Sequence, residues 1–294
     1  MALCLSSLVT SPLALVGGFV FVYLFGHPFS ELNSKAVKIL LQVAVVGLGF
    51  GMNINETLRV GQDGLLLTIF TIVLTLSLGY LLGKRLGMDK KTSHLLSSGT
   101  AICGGSAIAA VAPVIDATEK DMSISLGVVF LLNSIALIVF PLLGHLLELS
   151  QYQFGVWSAI AIHDTSSVVG AAYTYGDEAL KVATTVKLAR ALWIIPLCFV
   201  SLYLFKGKEN KIKIPWFIFL FIVAILLNSY LPIPSVITGG ITSISKSMLV
   251  LTLFLIGAGL SIDKIKSAGW RPMILGTSLW IAISIISLLI IVNF

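Results

Sequence analysis

The chain of 294 residues is 57% hydrophobic and only 11% charged, and its mean hydropathy is +1.03. Soluble domains carry about 25% charged residues, so a water-soluble enzyme or a nucleic-acid-binding module is excluded and the lipid bilayer is the expected surrounding. The net charge of +6 therefore reports membrane topology rather than attraction to nucleic acid.

In chain order, apolar segments fall at about 3–25, 36–53, 64–83, 92–115, 122–147, 152–174, 179–205, 215–230, 236–260 and 270–293. Most approach the roughly 20 residues that a helix needs to cross a bilayer. They predict an all-α polytopic membrane protein of about ten transmembrane helices, forming a single integral domain over residues 1–294. The first residues lack a basic n-region and an A-x-A site, so no cleavable signal is read there. Lys35, Lys38, Lys84, Arg85, Lys90, Lys91, Lys206, Lys208, Lys211, Lys213, Lys264, Lys266 and Arg271 fall in loops on one side of this arrangement. Arg59, Lys120, Lys181 and Lys246 fall on the other. The asymmetry places the first side in the cytoplasm and both termini outside. Cys4, Cys103 and Cys198 lie in apolar segments and read as free thiols packed as small hydrophobes.

The second segment closes on Gly49-Phe50-Gly51-Met52-Asn53-Ile54-Asn55 and the ninth on Gly257-Ala258-Gly259-Leu260-Ser261-Ile262-Asp263. At the same constant offset Lys38, Leu41, Gly61 and Leu67 match Lys246, Leu249, Gly269 and Leu275. Small-x-small patterns recur in any helix bundle, but they do not produce a gap-free register through the following loop. An odd number of spans separates the copies, so they run in opposite directions. This predicts an inverted-topology repeat with copies around 13–83 and 215–293, a common construction of secondary transporters.

Between the copies lies a core, around 92–205, with two interrupted segments. Ala101-Ile102-Cys103-Gly104-Gly105-Ser106 breaks the fourth, and Ala161-Ile162-His163-Asp164-Thr165-Ser166, then Ser167, breaks the sixth. Adjacent glycines disfavour helix, and a run of polar residues at membrane depth is tolerated only where it lines protein or a wet cavity. Each break exposes a half-helix N-terminus whose free N–H groups attract an anion. Ser106 is the expected cap of the second half of the fourth segment, and Asp164, Thr165 or Ser166 that of the sixth. Both broken helices are expected to cross near the midplane. Close helix packing for Gly104-Gly105, and a satisfied hydrogen-bonded pair for His163-Asp164, are the plainer alternatives.

In the seventh segment Lys187 and Arg190 sit near the middle of an apolar stretch, three residues apart and on one helical face. A charge at that depth costs roughly 2.5–3.5 kcal/mol on insertion scales. Two readings stand: a pocket for an anion, or a structural pair neutralised by a carboxylate such as Asp164 or snorkelling to an interface. His27, His94, His145 and His163 have no metal-ligand spacing.

The stretch Gly99-Thr100-Ala101-Ile102-Cys103-Gly104-Gly105-Ser106-Ala107-Ile108-Ala109-Ala110, with Ala112-Pro113-Val114-Ile115, resembles the signature of the YeiH-type sulfate exporter family. Ile162-His163-Asp164-Thr165-Ser166-Ser167-Val168-Val169 and Val186-Lys187-Leu188-Ala189-Arg190 extend the resemblance, which covers the chain from about Ser11 to its end. Where that family has Ala-Gln after the Thr, this chain has Ser166-Ser167, so any role of that Gln is absent. The resemblance implies a multi-pass protein of the bacterial inner (plasma) membrane. It also implies membership of the superfamily of bile acid, arsenite and riboflavin carriers, with inverted repeats and two crossing broken helices. Relatives in that family often begin with an additional apolar helix, whereas this chain reaches Ser11-Pro12 almost at once. Either it has ten spans or its first eleven residues are the remnant of an eleventh.

The function expected from these features is a secondary active transporter, an exporter of a small inorganic or sulfonated anion, working by alternating access. No Walker A motif is present, no cofactor is implied, and no enzymatic role is expected. The substrate-binding candidates are Lys187, Arg190, Thr100, Cys103, Gly104, Gly105, Ser106, Thr165 and Ser166. His163 and Asp164 are candidates for coupling to H+, and Na+ held by carbonyls at the breaks is the other coupling ion. An anion channel is the first alternative. A serine hydrolase using Ser106 and His163 is the second, disfavoured because Ile108 stands where a nucleophile elbow needs Gly. The oligomeric state is left open, a homo-oligomer included.

Overall fold

The computed structural model of the chain describes residues 14, 17–18, 20–22, 24, 30–205, 216–258 and 269–293. Among these, the helices of fully described extent are α1 (Ser30–Leu48), α2 (Ile54–Arg85), α3 (Lys90–Ala101), α4 (Gly105–Val114), α5 (Glu119–Leu146) and α6 (Gln151–Ala161). There follow α7 (Thr165–Tyr175), α8 (Asp177–Ala191), α9 (Ile194–Phe205), α10 (Trp216–Tyr230), α11 (Ser235–Ala258) and α12 (Trp270–Asn293). A 3-10 turn at Gly49–Gly51 follows α1. The expected all-helical class is therefore observed among the described residues. Five stretches are long and apolar enough to cross a membrane: Thr57–Arg85, Glu119–Leu146, Asp177–Phe205, Ser235–Leu255 and Trp270–Asn293. Their outward faces are apolar, as Leu66, Phe70 and Val73 on α2 and Phe130, Ile138 and Leu142 on α5 illustrate, which suits contact with lipid.

Helix starts follow local chemistry. Reciprocal capping boxes, Thr118 with Asp121 and Ser150 with Gln153, open α5 and α6. Asn53 and Asp89 cap α2 and α3. The Asp177–Phe205 stretch bends at Leu192–Trp193, where Pro196 has no N–H to offer the carbonyl of Leu192.

The fourth and sixth segments are broken as expected, but neither crosses the membrane. Lys91 Nζ donates to the Asp116 carbonyl at 2.6 Å, and Thr92 Oγ1 donates to Asp121 Oδ1 at 2.6 Å. A continuous helix would hold Lys91 and Asp116 roughly 37 Å apart, at about 1.5 Å per residue. The chain therefore runs in along α3, turns, and returns along α4 to the face it left. In the same way, Tyr175 Oη donates to the Leu149 carbonyl at 2.6 Å, Glu178 N donates to Gln151 Oε1 at 3.0 Å, and the Phe154 and Tyr175 rings stack at 3.8 Å. Hence α6 and α7 form a second re-entrant hairpin. Each arm has only 10 to 12 residues, long enough to reach the middle of a bilayer and no further. The 28 residues of α5, about 42 Å of helix, connect the two mouths, so the hairpins enter from opposite faces.

Two of the ten expected crossings are thus hairpins, and the loops beside them change sides. Lys120 belongs with Lys90 and Lys91, while the Leu149–Ser150 turn lies at the face of Asp177 and Glu178. His94 Nε2, 2.8 Å from Ser201 Oγ, ties the end of α9 to the first face, and Arg271 Nη1 donates to the Gly87 carbonyl there at 3.3 Å. At the second face Asn228 Nδ2 donates to the Met52 carbonyl at 3.0 Å. Helices α10 and α11 each pack on α1 and on the 3-10 turn, while α12 lies across α2, α3, α5 and α6. Close approach of α11 to α1 brings Thr242 and Ser245 against Gly51 and Gly47. Cys4, Ser11-Pro12, His27 and residues 259–268 of the expected second repeat copy lie outside the described residues.

Single cysteines at Lys90, Lys120 and Glu178, all exposed, separate the two topologies. With an impermeant maleimide, Lys90→Cys and Lys120→Cys should react from the same face and Glu178→Cys from the opposite one. Labelling of Lys120→Cys together with Glu178→Cys would restore a full crossing at α3–α4.

Candidate functional site at two opposed hairpin tips

The first tip turns at Gly104, whose φ of +62° and ψ of −120° suit glycine alone. A Cβ at that position would lie 3.1 Å from Val129 and 3.5 Å from both Cα and Cβ of Asp164. The tip of one hairpin therefore abuts the tip of the other. Here α4 begins with no side-chain cap on Gly104. Cys103 is buried at this tip. Ser106 is exposed, and it stands inside the first turn of α4 rather than capping it as expected. Thr100 is buried on the last turn of α3, and its hydroxyl has no partner among the described residues.

The second tip is closed differently. Asn133 Oδ1, from α5, accepts the N–H groups of His163 at 3.0 Å and Asp164 at 3.2 Å. Asp164 caps α7, as expected, accepting from Ser166 N at 3.0 Å and from the Ser166 hydroxyl. Thr165 and Ser166 are half-buried at this turn. His163 is fully buried, and both its ring nitrogens lack partners among the described residues.

Behind the tips, the C-terminal ends of α3 and α6 point their last carbonyls at α8. Such carbonyls have no intrahelical donor and carry the negative end of the helix dipole. Lys187 Nζ donates to Ile102 O at 2.9 Å, Ala159 O at 3.2 Å and Ile162 O at 2.7 Å, so its three donors join both hairpins. Arg190 donates to Ala101 O through Nε at 2.9 Å and Nη2 at 2.5 Å, and to Thr71 Oγ1 through Nη1 at 2.9 Å. Both cations are fully buried. The expected same-face spacing is what lets one helix reach both ends. These bonds go to backbone carbonyls and Thr71, and Asp164 accepts none of them. The salt bridge found among the described residues is Lys246 to Asp177, at 2.5 Å and near the surface.

Three participants had not been anticipated. Asn133 carried a signal, because it is the one amide in the apolar α5 and polar side chains at that depth usually have a task. Thr71 carried none, and backbone carbonyls leave no trace in a sequence.

The site defines a class: a helical membrane protein in which two re-entrant hairpins meet tip to tip. The chain matches the family described as "Conserved hypothetical protein 698" over residues 7–276 and belongs to it. It is 51% identical to a "UPF0324 membrane protein" of Bacteroides thetaiotaomicron, over 96% of this chain and 86% of the relative. Relatives carrying the same designation in Photobacterium profundum and Shewanella oneidensis are 52% and 50% identical, over 97% and 99% of this chain and 88% and 92% of theirs. No solved structure matches.

Replacing Lys187 by Met should orphan three carbonyls, at about 1–3 kcal/mol for each one left unsatisfied, and lower the thermal midpoint markedly. Adding Asp164→Asn should not restore it. Recovery of stability in the double variant would instead show that Lys187 is paired to Asp164.

Proposed function

We propose that the protein is a secondary active exporter of a small inorganic or sulfonated oxyanion, such as sulfate or sulfite, working by alternating access in the bacterial inner membrane. The observation that carries this reading is the uncapped start of α4 at the junction of the two tips. The N–H groups of Gly105 and Ser106 occupy the first turn and have no intrahelical acceptor. A helix N-terminus in this state, at mid-depth and away from bulk water, favours an anion. The Ser106 hydroxyl stands in the same turn, and Thr165 and Ser166 open α7 beside the facing tip. Thr100 and Cys103 line the first tip. Lys187 and Arg190 contribute positive potential from behind, through the carbonyl ends they hold, and no direct contact of theirs with the substrate is required.

A cavity of about 1460 Å³ opens at one face and reaches toward the back of the hairpins. Arg59, Gln153 and Lys181 are among its lining residues, and so are Leu67, Val156 and Thr185. The last three lie within one helical turn of Thr71, Ala159 and Lys187, the groups that fix the hairpin ends. Among the described residues Lys84, Arg85, Lys90, Lys91, Lys120 and Arg271 group at the opposite face, and the place of Lys120 there sharpens the asymmetry. That face is accordingly the cytoplasmic one. His163 and Asp164 are the coupling groups for H+, with Na+ on tip carbonyls the other candidate. The resemblance to YeiH-type exporters and the inverted repeats around 13–83 and 215–293 agree with a carrier.

Ser106→Asp tests the reading. A carboxylate in the first turn of α4 stabilises that helix by about 0.3–1 kcal/mol while occupying the anion's place. The variant should keep or raise its thermal midpoint and lose the stabilisation that sulfate or sulfite gives the wild type. Undiminished stabilisation by the anion in Ser106→Asp would remove α4 from the site.

A further inference from the structure

We infer that Asn133 recognises the substrate, its carboxamide nitrogen donating to an oxyanion held at the meeting point of the hairpin tips. The inference rests on the oxyanion reading above and adds to it a residue of α5 that no motif contains. Asn133 is 3% exposed. Its Oδ1 accepts two backbone N–H groups, from His163 and Asp164, and this fixes which end of the carboxamide is oxygen, because a nitrogen there would face two donors. Nδ2 is thereby turned away from them, and it has no partner among the described residues.

A buried amide N–H2 without an acceptor is rare in proteins, and this one is not stranded at random. One turn earlier on α5, Val129 touches Gly104 of the first tip, so Asn133 stands where the second tip meets the first. On the tip it binds is His163, fully buried, with both ring nitrogens unpaired among the described residues. Lys187 and Arg190 have their donors on carbonyls and on Thr71. Three of the five Arg190 N–H groups are used in this way, and the neutral donors near the tips include the first-turn N–H groups of α4, the Ser106 and Thr100 hydroxyls, and Asn133 Nδ2. Such a set suits a small oxyanion held by hydrogen bonds rather than by a salt bridge, with affinity that depends weakly on ionic strength.

Asn133→Asp is the discriminating variant. It keeps an oxygen for the His163 and Asp164 N–H groups and removes the N–H2. In lipid nanodiscs, titrated with sulfate, the wild type should bind. Asn133→Asp should retain its thermal midpoint within a few degrees and bind at least about tenfold more weakly, a loss of about 1.4 kcal/mol. Equal affinity in the two proteins overturns the inference and leaves Asn133 as a clasp of the second tip alone. Absence of binding in the wild type to sulfate, sulfite, methanesulfonate and acetate overturns the oxyanion reading, and the inference with it. Should Asn133→Asp not fold, wild-type crystals soaked in selenate give the answer. An anomalous selenium peak within hydrogen-bond reach of Asn133 Nδ2 is expected, and a peak elsewhere overturns the assignment.

Discussion

Two helices that stop halfway through a bilayer leave carbonyls where there is no water to bond them, and each such group costs several kcal/mol if it stays unpaired. Lys187 resolves this for both hairpins at once, taking Ile102 O from one and Ala159 O and Ile162 O from the other. Arg190 does the same for Ala101 O and braces the contact on Thr71. The cost of burying two cations and the cost of burying helix ends offset each other, which is why α8 carries charge at that depth. The rest follows from geometry. Arms of 10 to 12 residues reach mid-depth, α5 sets the hairpins on opposite faces, and Gly104 lets the tips touch.

The ends of the half-helices are treated unequally. Both C-terminal ends are closed by cations and the start of α7 by Asp164 and Asn133. Only α4 starts without a side-chain cap, next to an exposed Ser106. Positive potential from that helix start, reinforced by two buried cations on the far side of the tips, is therefore directed at one place. An anion entering there would meet N–H and O–H groups rather than a fixed counter-charge. The proposed carrier would use this arrangement both to bind an anion and to let it go.

Much of this was legible in the sequence because its physics is local. The apolar runs gave the class, Gly104-Gly105 and His163-Asp164 marked the breaks, Asp164 was one of three caps offered for α7, and Lys187 and Arg190 stood out by their cost. What failed was the path of the chain after each break. Segments 92–115 and 152–174 are long enough to cross if straight, and hydropathy does not distinguish a kinked span from a hairpin. The contacts that decide it, Lys91 with Asp116 and Tyr175 with Leu149, involve backbone oxygens. Lys120 offered a faint hint, since moving it to the basic face improves the charge asymmetry. The partners of the buried cations were unreadable for the same reason, being carbonyls whose position depends on the turn.

The most direct test is a density map of the protein in lipid nanodiscs, detailed enough to trace side chains at the centre of the membrane. The α3–α4 and α6–α7 segments should return to opposite faces, with Lys187 density running between residues 101–102 of one tip and 159–162 of the other. Continuous helices through Gly104 and His163 to the far faces, or a Lys187 side chain resting on Asp164, would contradict this arrangement.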